Sequence, residues 1–151
     1  MKFWWVNQNK TWKQEIEGGY MWSPKKNSAG EHVVLYDNML YVQKGDLVFS
    51  YYKKQIGSIG TVANAAHESA KPTEFGNAGE DWEREGWKVN MHYKELQKPL
   101  VPLDIFDQLK EVLPNKYSPL NKDGGGYQGY LFSIPEGMAA ILLSHLVIDH
   151  L

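Results

Sequence analysis

Short runs of aromatic and β-branched residues, each closed by glycine, proline or a polar turn, constrain the fold of this chain more than any other feature. Lys2–Asn7 (KFWWVN), Leu47–Tyr52, Ile56–Ala63, Trp87–Tyr93 and Gln128–Ile134 all have this form, and segments of that length and composition read as strands. Trp87–Tyr93 alternates, with Trp87, Val89, Met91 and Tyr93 on one face and Lys88, Asn90 and His92 on the other, the pattern of a half-buried strand. Gly45-Asp46 opens the second run, and Lys53-Lys54 turns it into the third. Gly57 and Gly60 inside the third run predict a bulge or a bend.

Helical periodicity is weaker and confined to short segments. Asn9–Glu17 places Trp12 and Ile16 on one face and is stopped by Gly18-Gly19. Helices are also expected over Glu31–Val42, over Pro102–Leu113, where Leu103, Phe106, Leu109 and Leu113 share a face, and over Glu136–Asp149 behind Pro135. Tyr20-Met21-Trp22-Ser23 runs into Pro24, which biases Ser23 toward an extended backbone. Ala65–Gly86 and Asn115–Gly126 are long polar stretches and read as loops. The expectation is a single α+β domain over residues 1–151, with about five strands, antiparallel pairs and short flanking helices.

Composition narrows the chemistry. With 151 residues the chain can bury a core without staples, and with no cysteine it has no disulfides, thiolate metal sites or thiol nucleophile. Sixteen basic against 18 acidic residues leave a net charge of −2, which argues against a strongly electrostatic binder of nucleic acid acting alone. No secretory signal is visible, and the longest apolar stretch, Met138–Ile148, is broken by Ser144 and His145. It is far shorter than the roughly 20 residues of a membrane span. No membrane association is expected.

No catalytic constellation stands out. His32, His67, His92, His145 and His150 show no metal-binding helical spacing, and Ser23 and Ser118 lack a nucleophile-elbow pattern. Glu80, Asp81, Glu83 and Glu85 lack the glycine alternation of a calcium loop, and Lys122–Gly126 runs toward a strand where a phosphate loop opens a helix. The chain is expected to be a binding domain, not an enzyme, with no cofactor and no metal.

Aromatic residues carry the binding argument. Burying one aromatic side chain removes about 150–250 Å² from water, at about 25 cal/mol per Å². Stacking a base on an exposed ring returns only about 1–3 kcal/mol, so most of the six tryptophans belong in the core. Adjacent Trp4 and Trp5 point to opposite strand faces; Trp87 and Trp12 are expected to pack inward. Trp22 and Trp82 fit the core least well, because each lies in or beside a polar, glycine-flanked segment. Together they could wall an aromatic slot, with Asn7, Gln8 and Ser23 as its polar floor, suited to an extruded base read at its edge.

The order of these features resembles the EVE domain of the PUA-like superfamily, whose YTH relatives read methylated adenine in RNA. The chain is more similar still to the N-terminal EVE-like domains of bacterial modification-dependent HNH restriction endonucleases. The residues that carry this are Trp4-Trp5-Val6-Asn7-Gln8, Glu17-Gly18-Gly19-Tyr20-Met21-Trp22-Ser23-Pro24 and Gly45-Asp46-Leu47-Val48-Phe49-Ser50. Lys71-Pro72-Thr73-Glu74-Phe75-Gly76, Trp82-Glu83-Arg84-Glu85-Gly86-Trp87, Tyr117-Ser118-Pro119-Leu120 and Gln128-Gly129-Tyr130 complete the set.

The resemblance implies a PUA-like/EVE pseudo-β-barrel holding a flipped 5-methylcytosine or 5-hydroxymethylcytosine of double-stranded DNA between aromatics. Trp22 and Ser23 carry over best, then Asn7, with Trp82 as second wall. It also implies a cytoplasmic bacterial protein in a restriction system. The chain contains no H-N-H ββα-metal pattern, so it is expected to supply recognition, with cleavage in a C-terminal nuclease domain of a longer parent or by no partner at all. Basic residues occur in pairs, among them Lys10 and Lys13, Lys53 and Lys54. The loop pairs Lys25-Lys26 and Lys116-Lys122 are the candidates for phosphate contact. An RNA-modification reader like the YTH domains and a small PUA-like nucleotide hydrolase or nuclease are the alternative readings.

Overall fold

The strand-forming runs pair into one curled, half-barrel sheet in the computed structural model, which describes residues 1–79, 82 and 84–149. Seven strands compose it: β1 (Phe3–Asn7), β2 (Tyr20–Pro24), β3 (Leu47–Tyr52), β4 (Gln55–Val62), β5 (His67–Ala70), β6 (Glu85–Leu100) and β7 (Leu131–Ile134). Four helices flank them: α1 (Trp12–Gly18), α2 (Val34–Asp37), α3 (Phe106–Leu109) and α4 (Glu136–Asp149). The order is β2-β6-β4-β3-β1-β7, with β5 also on β6. β1 and β3 run parallel, and the other pairings among the described strands are antiparallel. The register of β4 on β6 shifts between Ile56 and Ser58, the bulge that Gly57 predicts.

β1 divides the core. Trp5 is fully buried with Phe49, Leu109, Phe132, Met138 and Leu142 on the face covered by α3 and α4. Trp4, its neighbour, packs on the opposite face with Met21, Met39, Val48, Met91 and Leu131. Each indole N–H is satisfied, Trp4 donating to Asp46 Oδ2 at 3.0 Å and Trp5 to Asn7 Oδ1 at 3.0 Å. Burial of each ring is worth at most about 4–6 kcal/mol.

Two strands exceed the five expected. β2 is buried at every residue, so it lacks the alternation that marks a half-buried strand. β5, HESA, is polar and largely exposed and is extended because it pairs with Glu85–Lys88 of β6. β6 itself runs 16 residues, far past Tyr93. Its first half lies between β2 and β5, where Trp22 and His67 both oppose Lys88, and its second half pairs with β4.

The helices are shorter than their periodicity suggests. Glu31–Val42 forms only the four-residue α2 and a 3₁₀ turn at Asn38–Leu40, with no side-chain cap at either. Pro102–Leu113 forms a 3₁₀ turn, Pro102–Ile105, and the single-turn α3; Pro114 disfavours helix just beyond it. α1 and its stop agree with expectation, Gly19 closing it at φ 73°. Among the described residues no helix is long and apolar enough to cross a membrane.

Candidate functional site

A third, small aromatic cluster lies apart from the main core, where β2 meets β6. Trp22 in β2 is 1% exposed, and its indole N–H donates to the Ser69 carbonyl of β5 at 3.0 Å. Trp82 stacks on it with ring centroids 6.4 Å apart and planes 29° from parallel. Phe75 stands edge-on to both rings, at 5.9 Å from Trp22 and 6.1 Å from Trp82. The pair depends on two glycines. A β-carbon on Gly86, opposite Pro24 in the register of β2 and β6, would collide with the Trp22 indole, and one on Gly79 would collide with the Trp82 indole. Lys71 Nζ lies 5.7 Å over the Trp82 ring and donates to the Gly79 carbonyl at 2.7 Å, holding the loop that carries this wall.

Trp22 and Trp82 border a cleft of about 750 Å³, a volume suited to a small organic group. The polar segment from Asn7 to Thr11 forms its floor, and Tyr36, Tyr51, Tyr127 and Tyr130 line it as well. Tyr117 and Tyr127 at its margin are about half exposed, and large rings are rarely left wet without a partner.

Behind the floor lies a carboxylate. Glu15 of α1 is fully buried, and it accepts hydrogen bonds from the Thr11 and Tyr130 hydroxyls, the Gln8 side-chain amide and the Trp22 backbone N–H. Burial pushes its carboxyl up to about 7, against the opposing pull of those bonds, Thr11 and Tyr130 foremost. Tyr130 and Tyr93 are pushed well above the ordinary phenol range, first by burial and then by the charge of Glu15. The Trp22 N–H also donates to Tyr130 Oη at 3.0 Å, so the same network fixes the backbone of the inner wall.

Of the residues expected in the slot, Trp22, Trp82, Asn7 and Gln8 line the cleft. Ser23 follows the β2 pleat away from it; its hydroxyl is buried and donates to the Pro24 carbonyl at 3.0 Å. Asn7 spends its amide on structure, donating to the Tyr127 and Gly129 carbonyls at 3.0 and 3.1 Å and accepting from Trp5. It thereby pins the 127–130 wall. Trp87 and Trp12, expected inside, are each half-buried and each carry a lysine over the ring. Of the acidic run, Glu80, Asp81 and Glu83 lie outside the described residues, as does His150.

The lysines are arranged unequally. Lys25 pairs with Glu68 at 2.7 Å and lies 4.6 Å over the Trp87 ring. Lys26 is half-buried on the same loop, Lys116 lies 5.3 Å over Tyr117, and Lys122 lines a smaller neighbouring cleft. A denser group surrounds Trp12. That ring lies parallel on Tyr52, centroids 4.6 Å apart, with Lys53 Nζ at 4.7 Å and Lys13 Nζ at 5.6 Å. Lys10 lines the cleft itself, and the Lys53 N–H donates to Asn9 Oδ1 at 3.1 Å, joining the β3–β4 hairpin to the cleft floor.

Glu15, Thr11 and Tyr130 were missed in the sequence. The available signal was Thr11 and Glu15 four apart at the start of a helix, which shares one face but reads as a solvated pair.

No family model matches the chain, and no curated protein matches it. Solved structures do. Human THYN1 protein in complex with 5-methylcytosine-containing DNA is 13% identical, with a TM-score of 0.57 over 96% of this chain and 97% of that one. The YTH domain of Zygosaccharomyces rouxii MRB1 protein, in complex with N6-methyladenosine RNA, is 10% identical, with a TM-score of 0.55 over 96% and 86%. ASCH from Zymomonas mobilis is 11% identical, with a TM-score of 0.55 over 95% and 94%. At these identities the likeness is one of fold: an α+β, PUA-like pseudo-barrel.

Proposed function

We propose that this chain reads modified cytosine in DNA, taking a flipped 5-methylcytosine or 5-hydroxymethylcytosine into the 750 Å³ cleft against Trp22 and Trp82. The observation that carries the reading is the glycine-seated tryptophan pair beside a polar floor in which Gln8 and Thr11 are buried. A base sandwiched between two rings needs roughly two stacking separations of about 3.4 Å. The 6.4 Å pair is slightly closed for this, so a base between the rings requires them to separate. The PUA-like likeness to a protein bound to 5-methylcytosine-containing DNA adds support. So does the aromatic margin, where Tyr117 and Tyr127 offer faces to neighbouring bases.

We further propose that the chain is the specificity module of a modification-dependent restriction endonuclease, with an HNH nuclease in a C-terminal domain. The motifs from Trp4 to Gln8 and from Glu17 to Pro24 support this role, and the net charge of −2 suits a module that relies on a partner for affinity.

The test is a binding panel of one duplex carrying cytosine, 5-methylcytosine or 5-hydroxymethylcytosine at a single position, at fixed salt. A preference of tenfold or so for a modified base is expected; equal affinity for all three overturns the reading. A matched N6-methyladenosine RNA belongs in the panel, because the YTH neighbour is bound to such RNA. Tighter binding there replaces DNA by RNA as the ligand. Release of product from any of these probes by the chain alone would favour the hydrolase reading, for which Glu15 is a buried carboxylate behind the floor.

A further inference from the structure

Three buried side-chain polar atoms among the described residues lack a hydrogen-bond partner: Gln8 Oε1, Ser50 Oγ and Trp87 Nε1. Only Gln8 belongs to a residue that lines the cleft. Its side chain is 1% exposed, and leaving such an acceptor unpaired is costly to the fold.

The orientation of this amide follows from its neighbours. Gln8 Nε2 donates to Glu15 Oε1 at 3.3 Å and to Tyr93 Oη at 2.9 Å. Tyr93 in turn donates its only hydroxyl hydrogen to the Tyr20 carbonyl at 2.9 Å, so toward Gln8 it can only accept. The nitrogen end therefore faces Tyr93 and Glu15, and the oxygen end is the one left over. The neighbouring hydroxyls follow the same rule: Thr11 and Tyr130 both donate to Glu15. Every hydrogen these side chains own is consumed behind the floor. What remains for a ligand is a lone pair.

We infer that Gln8 Oε1 reads the exocyclic amino group of the bound base, making the cleft selective for amino-bearing bases, cytosine or adenine, over keto-bearing ones. Cytosine and adenine present an N–H donor where thymine and guanine present a carbonyl oxygen. A carbonyl set against Gln8 Oε1 would oppose two acceptors and leave both unpaired. This rests on the modified-base reading and sharpens it, because 5-methylcytosine and thymine carry the same 5-methyl group. A pocket that sensed only the methyl could not separate them; an acceptor at the amino position can.

The experiment compares one duplex carrying at a single site plain cytosine, 5-methylcytosine, thymine opposite guanine, or 5-methyl-2-pyrimidinone, which keeps ring and methyl but lacks the amino group. Wild type and Gln8→Met are measured at one salt concentration. Deleting the amino group is expected to weaken wild-type binding about tenfold or more, although the pyrimidinone pairs less well and flips more readily. In Gln8→Met the same deletion should cost about twofold or less. The wild-type comparison needs no variant, so it decides the matter even if Gln8→Met fails to fold. Equal wild-type affinity for pyrimidinone and 5-methylcytosine, with preference over plain cytosine retained, overturns the inference and leaves the reader function standing. An undiminished amino effect in Gln8→Met overturns it as well, placing the contact elsewhere. Loss of all preference for modified over plain cytosine brings down the reader function and the inference together.

Discussion

The Trp22 and Trp82 rings face each other at 6.4 Å, and each lies over a glycine whose β-carbon would occupy the indole's place. The two walls are unequal. Trp22 is 1% exposed and belongs to a strand, whereas Trp82 is half-buried on the loop leading into β6. Truncating Trp22 therefore confounds binding with folding, at about 3–5 kcal/mol of stability. Trp82→Ala separates them. It is expected to reduce affinity for the modified duplex by about 1–3 kcal/mol, the value of one stacked base. The thermal midpoint should move by only a few degrees. Titration of the duplex against both proteins, with a melting curve for each, checks this; undiminished affinity removes Trp82 from the pocket.

Gly86→Ala tests the seat of the inner wall. The added methyl meets the Trp22 indole and the Ser23 carbonyl, both held in the β2–β6 ladder. Overpacking of this kind costs about 1–3 kcal/mol. The variant should unfold at lower urea with an unchanged denaturant slope, and its tryptophan fluorescence should shift as Trp22 is displaced. A wild-type midpoint would show that the strands part freely and that Trp22 is not fixed by Gly86.

How far the sequence discloses this molecule depends on whether a residue's neighbours are near it in the chain. β1 and the opposed burial of Trp4 and Trp5 are legible, because strand alternation alone separates their faces. β2 is not, since burial at every position erases the alternation. β5 and the second half of β6 are polar, and they are strands because pairing across the sheet satisfies their backbones. The site divides in the same way. Trp22 and Trp82 stand out as aromatics in polar company. Glu15 does not, since one of the hydroxyls it binds belongs to Tyr130, 115 positions away. The role of Gln8 is likewise set by Tyr93, 85 positions away.

Two carboxyls give stability opposite slopes with pH. Glu15 holds its proton more tightly when folded, at about 7 against 4.5 unfolded. Its contribution is full below about pH 4.5, declines as pH rises and is gone above about pH 7, a swing on the order of 3 kcal/mol. Asp46 behaves in the opposite sense. Burial works against its charge, yet hydrogen bonds from the Lys2 N–H, the Trp4 indole and the Gln43 N–H hold its carboxyl below the usual 3.8. Its contribution is present above that value and is lost as pH falls through the lowered one. Urea unfolding at pH steps from 3 to 8 should show Glu15→Gln flattening the limb between about 4.5 and 7, and Asp46→Asn flattening the acid limb. A Glu15→Gln profile parallel to wild type would mean that the buried carboxyl is not what titrates.

Salt dependence identifies which lysines meet phosphate. Lys10 lines the cleft, and Lys13, Lys53 and Lys54 are exposed close to it around the Trp12–Tyr52 stack. Lys53 and Lys54 occupy the hairpin turn at φ 55° and 62°, and the Asn9 contact ties that turn to the floor. Lys25, by contrast, is already paired with Glu68. Each phosphate neutralised by a lysine contributes about 0.9 to the slope of log affinity against log salt on duplex DNA. The double variant Lys10→Gln, Lys53→Gln should therefore lower the magnitude of that slope by about 2 and weaken modified and plain duplexes alike. Lys25→Gln should leave it nearly unchanged. The reverse pattern would move the backbone path to the Lys25-Lys26 loop, and with it the direction from which a base enters the cleft.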